Sequence, residues 1–168
     1  MHNIALIGMP GAGKSSVGAA LARRSNATFI DTDRLIEARH GARLQTLLEQ
    51  HGYQWLRAAE AQVILLLRLP ASQKYVIATG GSVIYSEQAM AALAAIAATV
   101  YLKISAQTMI SRVRAEGEEQ RGLARPACQT LEALYREREP LYARAAMRTV
   151  DCDGLAVEEV VEQLCAGV

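Results

Sequence analysis

The chain has 168 residues, 51% of them hydrophobic and 21% charged, which is typical of one soluble globular domain. Its formal net charge of +1 gives no electrostatic reason to expect nucleic acid as a partner. The sequence has no apolar stretch of membrane-spanning length and no signal-peptide pattern, so we expect no membrane partner and a cytoplasmic location. The three cysteines are far apart and indicate neither a disulfide framework nor a zinc site.

The first half of the chain alternates between the patterns of strands and helices. Residues 3–7 form a short apolar run that is typical of a buried parallel strand. A helix is expected to begin at Lys14 or Ser15, and residues 28–31 predict the second strand. Three helical patterns follow, over residues 34–40, 44–50 and 53–69.

The second half continues the alternation, and its predicted elements are a strand at 75–78, a helix at 86–95, a strand at 99–104, a helix at 106–114, a helix at 131–146, a strand at 147–150 and a helix at 157–165. Residues 116–129 lack periodicity and predict a mobile loop. Pro140 is expected to kink or break the helix that contains it. Strands that alternate with helices predict one α/β domain over residues 1–168, with a parallel sheet covered on both faces.

The segment GMPGAGKS at residues 8–15 matches the phosphate-binding pattern G-x-x-x-x-G-K-[ST] in full. It follows a predicted strand and opens a predicted helix, where backbone N–H groups and the helix N-terminus favour phosphate. Lys14 is expected to reach the β- and γ-phosphates, and the Ser15 hydroxyl to bind Mg²⁺. We therefore expect ATP and Mg²⁺ as cofactors, with the nucleotide bound by Gly11, Ala12, Gly13, Lys14, Ser15 and Ser16.

Two aspartates end the second predicted strand, at the edge of the sheet where ligands of α/β proteins bind. Of Asp31 and Asp33, one carboxylate is suited to hold Mg²⁺ through water, while the other accepts a proton from a substrate hydroxyl. The alternative is that Asp33 caps a helix that begins at Arg34. The two interpretations do not exclude each other.

Two further features admit both a structural and a functional interpretation. Gly80 and Gly81 follow the third predicted strand, where they either make an ordinary turn or let the backbone approach a small molecule. Arg57 and Glu60 share one helical face, where either the two form a surface ion pair or Arg57 is placed to bind a substrate carboxylate. Trp55, close by, either lines that site or packs the helix.

With these residues the chain resembles the shikimate kinase family. The matching segments occur in the family's order, and they are the phosphate loop, Asp31-Thr32-Asp33, Leu56-Arg57 with Glu60, Ala78-Thr79-Gly80-Gly81, Tyr101-Leu102 and Arg138-Glu139-Pro140-Leu141-Tyr142. The resemblance implies a three-layer P-loop NTPase fold whose five-stranded parallel sheet has the order 2-3-1-4-5. It also implies acceptor-binding helices at about 34–69 and a lid at about 116–129.

The resemblance further implies ATP-dependent phosphorylation of shikimate to shikimate 3-phosphate, in aromatic amino-acid biosynthesis. Carried over to this sequence, the resemblance implies that Asp33 binds the acceptor hydroxyls and is the catalytic base, and that Asp31 positions Mg²⁺ together with Ser15. It implies that Arg57 and Arg138 bind the acceptor's carboxylate, and that Gly80 and Gly81 approach its ring closely. It also implies that Arg112 stacks on the adenine. Two arginines offer forked donors to a carboxylate, which is consistent with these roles.

The sequence departs from the family pattern at two places. Ser82 stands where the family usually has a third glycine, and the lid motif Arg-Pro-Leu-Leu is matched either at Arg125 or, shifted, at Arg121. We favour Arg125 as the arginine that contacts ATP and the transferring phosphate. These departures leave the identity of the acceptor open, so one alternative is a kinase of another small hydroxy metabolite. The other alternative is a nucleotide-binding regulatory NTPase. Nothing in the sequence requires more than a monomer.

Overall fold

The computed structural model describes residues 3–117 and 122–166. Its centre is a five-stranded sheet in which all neighbouring strands are parallel and the order is β2-β3-β1-β4-β5. The strands are β1 (Ile4–Ile7), β2 (Thr28–Asp31), β3 (Tyr75–Ala78), β4 (Ala98–Lys103) and β5 (Arg148–Asp151). The strand order expected from the family resemblance is therefore confirmed.

Eight α-helices lie in the described residues, together with a short 3₁₀ helix at Val83–Tyr85. They are α1 (Lys14–Ser25), α2 (Thr32–His40), α3 (Leu44–His51), α4 (Tyr53–Leu66), α5 (Glu87–Ile96), α6 (Ala106–Ala115), α7 (Leu131–Ala145) and α8 (Val157–Ala166). Helix α1 packs against α8, whereas α2, α3 and α5 pack against α4. None of the helices in these two ranges is long and apolar enough to cross a membrane.

Strand β1 is buried along its whole length because it lies between β3 and β4 in the middle of the sheet. Its apolar residues belong to the larger of two hydrophobic clusters, which packs the sheet against the helices. The smaller cluster lies among α2, α3 and α4 and also contains Ala124, from the segment that precedes α7. This segment is therefore packed onto the helices that the sequence predicts to bind the acceptor.

Helix α7 continues through Pro140 to Ala145, so the expected break at this proline is wrong. The proline removes one backbone donor, which costs helix stability. The turn that follows it carries Tyr142, which is completely buried. Tertiary packing of this kind contributes more to helix stability than local propensity does, which explains why the helix persists.

Candidate active site

The phosphate loop connects the carboxyl end of β1 to the first turn of α1. Gly13 has a φ of 85°, a left-handed conformation that favours glycine, and it directly precedes the helix. The Lys14 ammonium donates to the carbonyl oxygens of Gly8, at 2.8 Å, and Met9, at 2.9 Å. The cation thus lies across the loop, at the end of the helix where phosphate is favoured.

One cavity of about 710 Å³ extends from the phosphate loop to the helices α2 and α4. Its lining includes Lys14 and Ser15 at one end, and Asp33, Glu60 and Arg138 at the other. The structure therefore brings a phosphate-binding loop and a group of ionisable side chains into the lining of one cavity. This volume is within the range of small-molecule sites.

The carboxylate of Asp31 caps α2 by accepting the backbone N–H of Asp33 at 3.0 Å. The expectation that Asp33 caps a helix beginning at Arg34 is therefore wrong, because the helix begins at Thr32 and the residue before it provides the cap. Asp33 lies in the first turn, and its Oδ1 is buried with no hydrogen-bond partner among the described residues. Such an atom is costly to bury unless a ligand satisfies it.

Burial raises the pKa of Asp33 to about 7, from an ordinary value of 3.8. The nearby carboxylates of Glu60 and Asp31 contribute to this rise, and the Lys14 cation opposes it. A carboxyl group with a pKa near neutral pH is suited to accept a proton during a reaction.

Glu60 is almost completely buried on α4, with 4% of its surface exposed. Its Oε2 accepts the backbone N–H of Ser82 at 2.8 Å, so it does not form the surface ion pair with Arg57 that the sequence left open. Burial raises the pKa of Glu60, and the Arg138 cation opposes this shift. Sequence reasoning placed Glu60 on the correct helical face, but helical spacing alone gave no sign of its burial.

The carboxyl groups of Glu60 and Asp33 meet beside Gly80. A Cβ atom at Gly80 would collide with the Glu60 carboxyl group and would lie 2.8 Å from Asp33 Oδ1. The turn after β3 therefore needs a residue without a side chain at this position. This supports the interpretation that the backbone comes close to the site here.

Arg138 is buried on α7, and its guanidinium group has three partners. It donates from Nη1 to the Gly81 carbonyl at 3.0 Å, from Nη2 to the Ala124 carbonyl at 2.8 Å and from Nε to the Tyr85 hydroxyl at 3.1 Å. Helix α7 thus positions this cation against the glycine turn after β3. Its position agrees with the binding role expected from the sequence, although no ligand contact tests that role.

Arg57 approaches the same place from α4. Its Nε donates to the Ala124 carbonyl at 3.2 Å, and its guanidinium carbon lies 3.8 Å from the centre of the Tyr85 ring. The structure therefore brings Arg57 and Arg138 together, as the sequence predicts for a carboxylate site. Tyr85 was not among the predicted site residues, and no motif singles it out.

Ser82 is buried and lines the cavity. Its Oγ lies near Glu60 but has no hydrogen-bond partner within the described residues. Trp55, by contrast, packs with its ring centre 5.0 Å from that of His40 and 4.6 Å from that of His51, and it is absent from the described cavity lining. The packing alternative for Trp55 is the one that the structure favours.

Arg112 lies on α6 and reaches the phosphate loop, where it donates to the Gly11 carbonyl at 2.9 Å. It also lines the cavity, together with Cys152 and Leu155. This position is consistent with the predicted contact to the nucleotide, although no described contact tests adenine stacking itself.

The loop that precedes α7 contributes Gly122, Leu123 and Ala124 to the cavity lining, but not Arg125. The competing candidate, Arg121, lies outside the described residues. The assignment of Arg125 to the transferring phosphate therefore stays a prediction.

A family profile described as shikimate kinase matches residues 10–168. The chain belongs to the shikimate kinase family. It is 35% identical to a shikimate kinase from Nitrobacter winogradskyi over 99% of this chain and 76% of the relative, and 38% identical to one from Aromatoleum aromaticum over 88% of this chain and 83% of the relative.

Solved structures of the shikimate kinase family have the same fold. The Acinetobacter baumannii shikimate kinase, solved in complex with shikimate, matches with a TM-score of 0.83 at 28% identity, over 98% of this chain and 91% of that one. The Aquifex aeolicus shikimate kinase matches with a TM-score of 0.81 at 29% identity, over 98% and 94%. Membership of the shikimate kinase family confirms the predicted enzyme class, a phosphotransferase that acts on a hydroxyl group, and implies the use of ATP.

Proposed function

We propose that this chain transfers the γ-phosphoryl group of ATP to a hydroxyl group of shikimate, and so forms shikimate 3-phosphate for aromatic amino-acid biosynthesis. The observation that carries this proposal is the shared cavity, in which Lys14 and Ser15 face Asp33 and Arg138. It is supported by the related Acinetobacter baumannii enzyme, which was solved with shikimate.

The nucleotide end of the site is formed by the phosphate loop. The backbone of Gly11, Ala12 and Gly13 and the cation of Lys14 bind the phosphates, while Ser16 and Arg112 contribute further contacts to the nucleotide. Since Lys14 and Arg112 both reach carbonyl oxygens of this loop, their cations lie close to the expected phosphate positions. Phosphoryl transfer depends mainly on such positioning and on charge neutralisation.

The donor set of the site fits Mg²⁺. Ser15 offers a hydroxyl oxygen in the first turn of α1, and Asp31 offers a carboxylate at the end of β2, and both are hard oxygen ligands. Mg²⁺ is commonly held by one or two such ligands, with waters and substrate phosphates completing its coordination. When bound, the ion neutralises phosphate charge and orients the γ-phosphoryl group.

The acceptor end is formed by residues from three elements. Arg57 and Arg138 bind the carboxylate of the acceptor, and Gly80 and Gly81 allow its ring to approach the backbone. Asp33 binds the hydroxyl group that reacts. The support is geometric, because the two arginines converge on one point and Asp33 Oδ1 has an unused acceptor position inside the same site.

In the proposed reaction the acceptor hydroxyl oxygen forms a bond to the γ-phosphorus as the bond to the ADP oxygen breaks. Asp33 takes the hydroxyl proton, for which its raised pKa of about 7 is well suited. Lys14 and Arg125 stabilise the charge on the transferring group. Packing of the lid segment at Gly122, Leu123 and Ala124 over the cavity excludes water, which limits ATP hydrolysis.

The decisive experiment measures ADP release with shikimate, related cyclic hydroxy acids, hydroxy amino acids and nucleoside monophosphates as acceptors. We expect release that depends on shikimate and on Mg²⁺, and little release without an acceptor. Activity with another acceptor alone would overturn the choice of substrate. Rapid ATP hydrolysis that needs no acceptor would instead favour a regulatory NTPase.

We further infer that the protein acts as a cytoplasmic monomer whose partners are ATP and the small-molecule acceptor, without nucleic acid or membrane. The near-zero net charge supports the absence of nucleic acid. Light scattering during size-exclusion chromatography tests the monomer, with and without ATP and shikimate. A mass of twice the expected value in either condition would contradict it.

A further inference from the structure

Tyr85 lies between the two arginines of the acceptor site. It ends the short 3₁₀ helix that follows the glycine turn after β3. Its ring covers the guanidinium group of Arg57 at 3.8 Å, and its hydroxyl accepts the Nε–H of Arg138 at 3.1 Å. One half-buried side chain therefore contacts both cations, which come from helices far apart in the sequence.

We propose that Tyr85 is a positioning residue that holds Arg57 and Arg138 in the orientation needed to bind the acceptor's carboxylate. This inference rests on the proposed function, because it concerns the same acceptor site. It adds a residue that neither the motifs nor the cavity lining identify, and it explains how two long side chains are ordered before a ligand arrives.

The ring restricts Arg57 in the direction perpendicular to the guanidinium plane. A cation over an aromatic face is attracted by the ring's negative surface, and arginine stacks well because its guanidinium group is planar. The Nε–H donates within that plane to the Ala124 carbonyl. These two contacts thus fix the orientation of the Arg57 guanidinium group, so less side-chain entropy is lost when a carboxylate binds.

The hydroxyl of Tyr85 restricts Arg138 by a different contact. Tyr85 donates its own hydroxyl hydrogen to the carboxylate of Glu137, which also accepts from the side chain of Gln129. With its hydrogen committed, the phenol oxygen faces Arg138 as an acceptor. The orientation of Arg138 therefore depends on a chain of hydrogen bonds that runs from Gln129 through Glu137 to Tyr85.

The simpler interpretation is that Tyr85 only fills space beside the buried residues Val83 and Ile84. A space-filling residue affects stability and both substrates alike. A positioning residue affects the binding of the acceptor's negative charge and leaves ATP binding unchanged. The two interpretations are therefore separated by comparing substrates rather than by measuring activity alone.

The experiment compares Tyr85→Phe, which keeps the ring and removes the hydroxyl, with Tyr85→Leu, which removes both contacts. We expect the KM for shikimate to rise about threefold to tenfold in the first variant and about tenfold to a hundredfold in the second. The KM for ATP should stay within about twofold of the wild-type value, within the spread expected for surface changes. Equal increases in both KM values would overturn the proposal.

Tyr135→Phe is the matched control. Tyr135 lies on α7 and donates its hydroxyl hydrogen to the Ile104 carbonyl at 2.9 Å, a hydrogen bond that involves neither arginine. The control loses one tyrosine hydroxyl from a packed site and should leave the KM for shikimate unchanged. A rise equal to that of Tyr85→Phe would show that any lost hydroxyl has this effect, and would count against positioning.

A substrate comparison adds a readout that loss of packing does not change. Binding of shikimate should weaken in Tyr85→Leu, whereas binding of its uncharged methyl ester should change little, because the ester lacks the charge that the arginines recognise. Calorimetry or fluorescence titration measures both. Parallel weakening of acid and ester would overturn the proposal.

The positioning itself is measurable without any acceptor. A ring current from Tyr85 should shift the Nε–H proton resonance of Arg57 upfield, and the shift should persist in Tyr85→Phe and disappear in Tyr85→Leu. If wild-type protein showed no shikimate-dependent ADP release, the proposed function would fail, while this measurement still decides the role of Tyr85. An unchanged Arg57 resonance in Tyr85→Leu would overturn the positioning role even in an active enzyme.

Discussion

Arg57 and Arg138 donate to the same oxygen atom, the backbone carbonyl of Ala124, at 3.2 and 2.8 Å. One arginine comes from α4 and the other from α7, so the point at which they meet is defined by the tertiary fold. The Ala124 carbonyl occupies this point, and an acceptor carboxylate bound beside it would receive the guanidinium N–H groups that the carbonyl does not use. The two residues nevertheless differ in burial, and this difference separates the effects of replacing them.

Arg57→Ala should raise the KM for shikimate about 10-fold to 150-fold, because one charge-assisted hydrogen bond is worth about 1.5–3 kcal/mol. Since Arg57 is only half-buried, the free energy of unfolding should change little. Steady-state kinetics and urea denaturation measure the two effects. Arg68→Ala is the control, because Arg68 lies just beyond α4, is exposed and donates to the backbone carbonyls of Leu65 and Leu67. Wild-type KM in Arg57→Ala would contradict the carboxylate role.

Arg138→Ala should weaken acceptor binding and also destabilise the fold. Arg138 is 1% exposed, and its removal leaves the Gly81 and Ala124 carbonyls without these donors. The Gly81 carbonyl keeps the Tyr142 hydroxyl as a donor and the Ala124 carbonyl keeps Arg57, so the cost comes from the lost charge-assisted hydrogen bonds and the resulting cavity, about 2–4 kcal/mol. Urea denaturation should show this loss in Arg138→Ala and not in Arg57→Ala. Equal stability of the two variants would show that the burial of Arg138 has no energetic consequence.

Ser82→Ala should weaken acceptor binding without lowering the stability of the fold. The buried Oγ of Ser82 has no hydrogen-bond partner in the part of the chain that the structure describes, so its removal should leave the melting temperature unchanged or raise it. If the acceptor supplies the missing partner, the KM for shikimate should rise about threefold to tenfold. Ser86→Ala is the control, since it removes the cap of α5 and should cost about 1 kcal/mol of stability without changing KM. An unchanged KM in Ser82→Ala would exclude this contact.

Gly80→Ala should be more harmful than Gly81→Ala. A Cβ at Gly80 collides with the Glu60 carboxyl group, whereas one at Gly81 lies 3.2 Å from Arg138 Nη1. Overpacking at the first position should cost about 1–3 kcal/mol, because Glu60 is held by the Ser82 backbone N–H and cannot easily move. Thermal or chemical denaturation gives the order, and a reversed order would contradict the proposed close approach at Gly80.

Asp33 should make both activity and stability depend on pH. As the base it must be ionised, so kcat/KM should rise with pH and level off above the raised pKa of about 7. Asp33→Asn should lower kcat strongly while ATP binding stays nearly intact. A variant with wild-type kcat would remove Asp33 from the mechanism.

Ionisation of Asp33 should lower the stability of the fold, whereas it raises the activity. Its pKa is about 7 in the folded protein and near 3.8 in the unfolded chain, so the folded state holds more protons between these values. The free energy of unfolding therefore falls as pH rises from about 4 to 7. Asp33→Asn removes this contribution, and its stability relative to the wild type should improve from pH 5 to pH 8. Urea titrations at both pH values measure the difference, and a constant difference would contradict the shifted pKa.

Local pattern was sufficient to predict most of the fold. The apolar runs and helical periods placed every strand and α-helix of the described residues, because these elements bury their apolar faces in the usual way. One exception depended on a tertiary contact and the other on a local helix cap. Pro140 stays inside α7 because the following turn is buried, and α2 begins two residues before its predicted start because Asp31 is the better-placed cap.

The candidate site was predictable wherever a motif carries chemistry. The phosphate loop, Asp33 and the two arginines are examples, since their residue types and order in the chain match a known family. Glu60 and Tyr85 were missed as site residues for a physical reason. Their importance comes from contacts with Ser82, Arg57 and Arg138, which are remote in sequence. Burial and stacking between segments that are distant in the chain produce no pattern of residue spacing in the sequence.

The phosphate loop and the glycine turn follow β1 and β3, which are adjacent strands paired in register from Ile4 with Val76 to Leu6 with Ala78. Beyond the last pair, Thr79 donates both its backbone N–H and its hydroxyl to the Leu6 carbonyl, at 3.2 and 3.0 Å. The phosphate loop and the glycine turn therefore leave the sheet a single inter-strand spacing apart, about 4.8 Å. Because both strands are buried along their whole length, the separation of these two segments is set by the centre of the sheet and not by the helices that surround it.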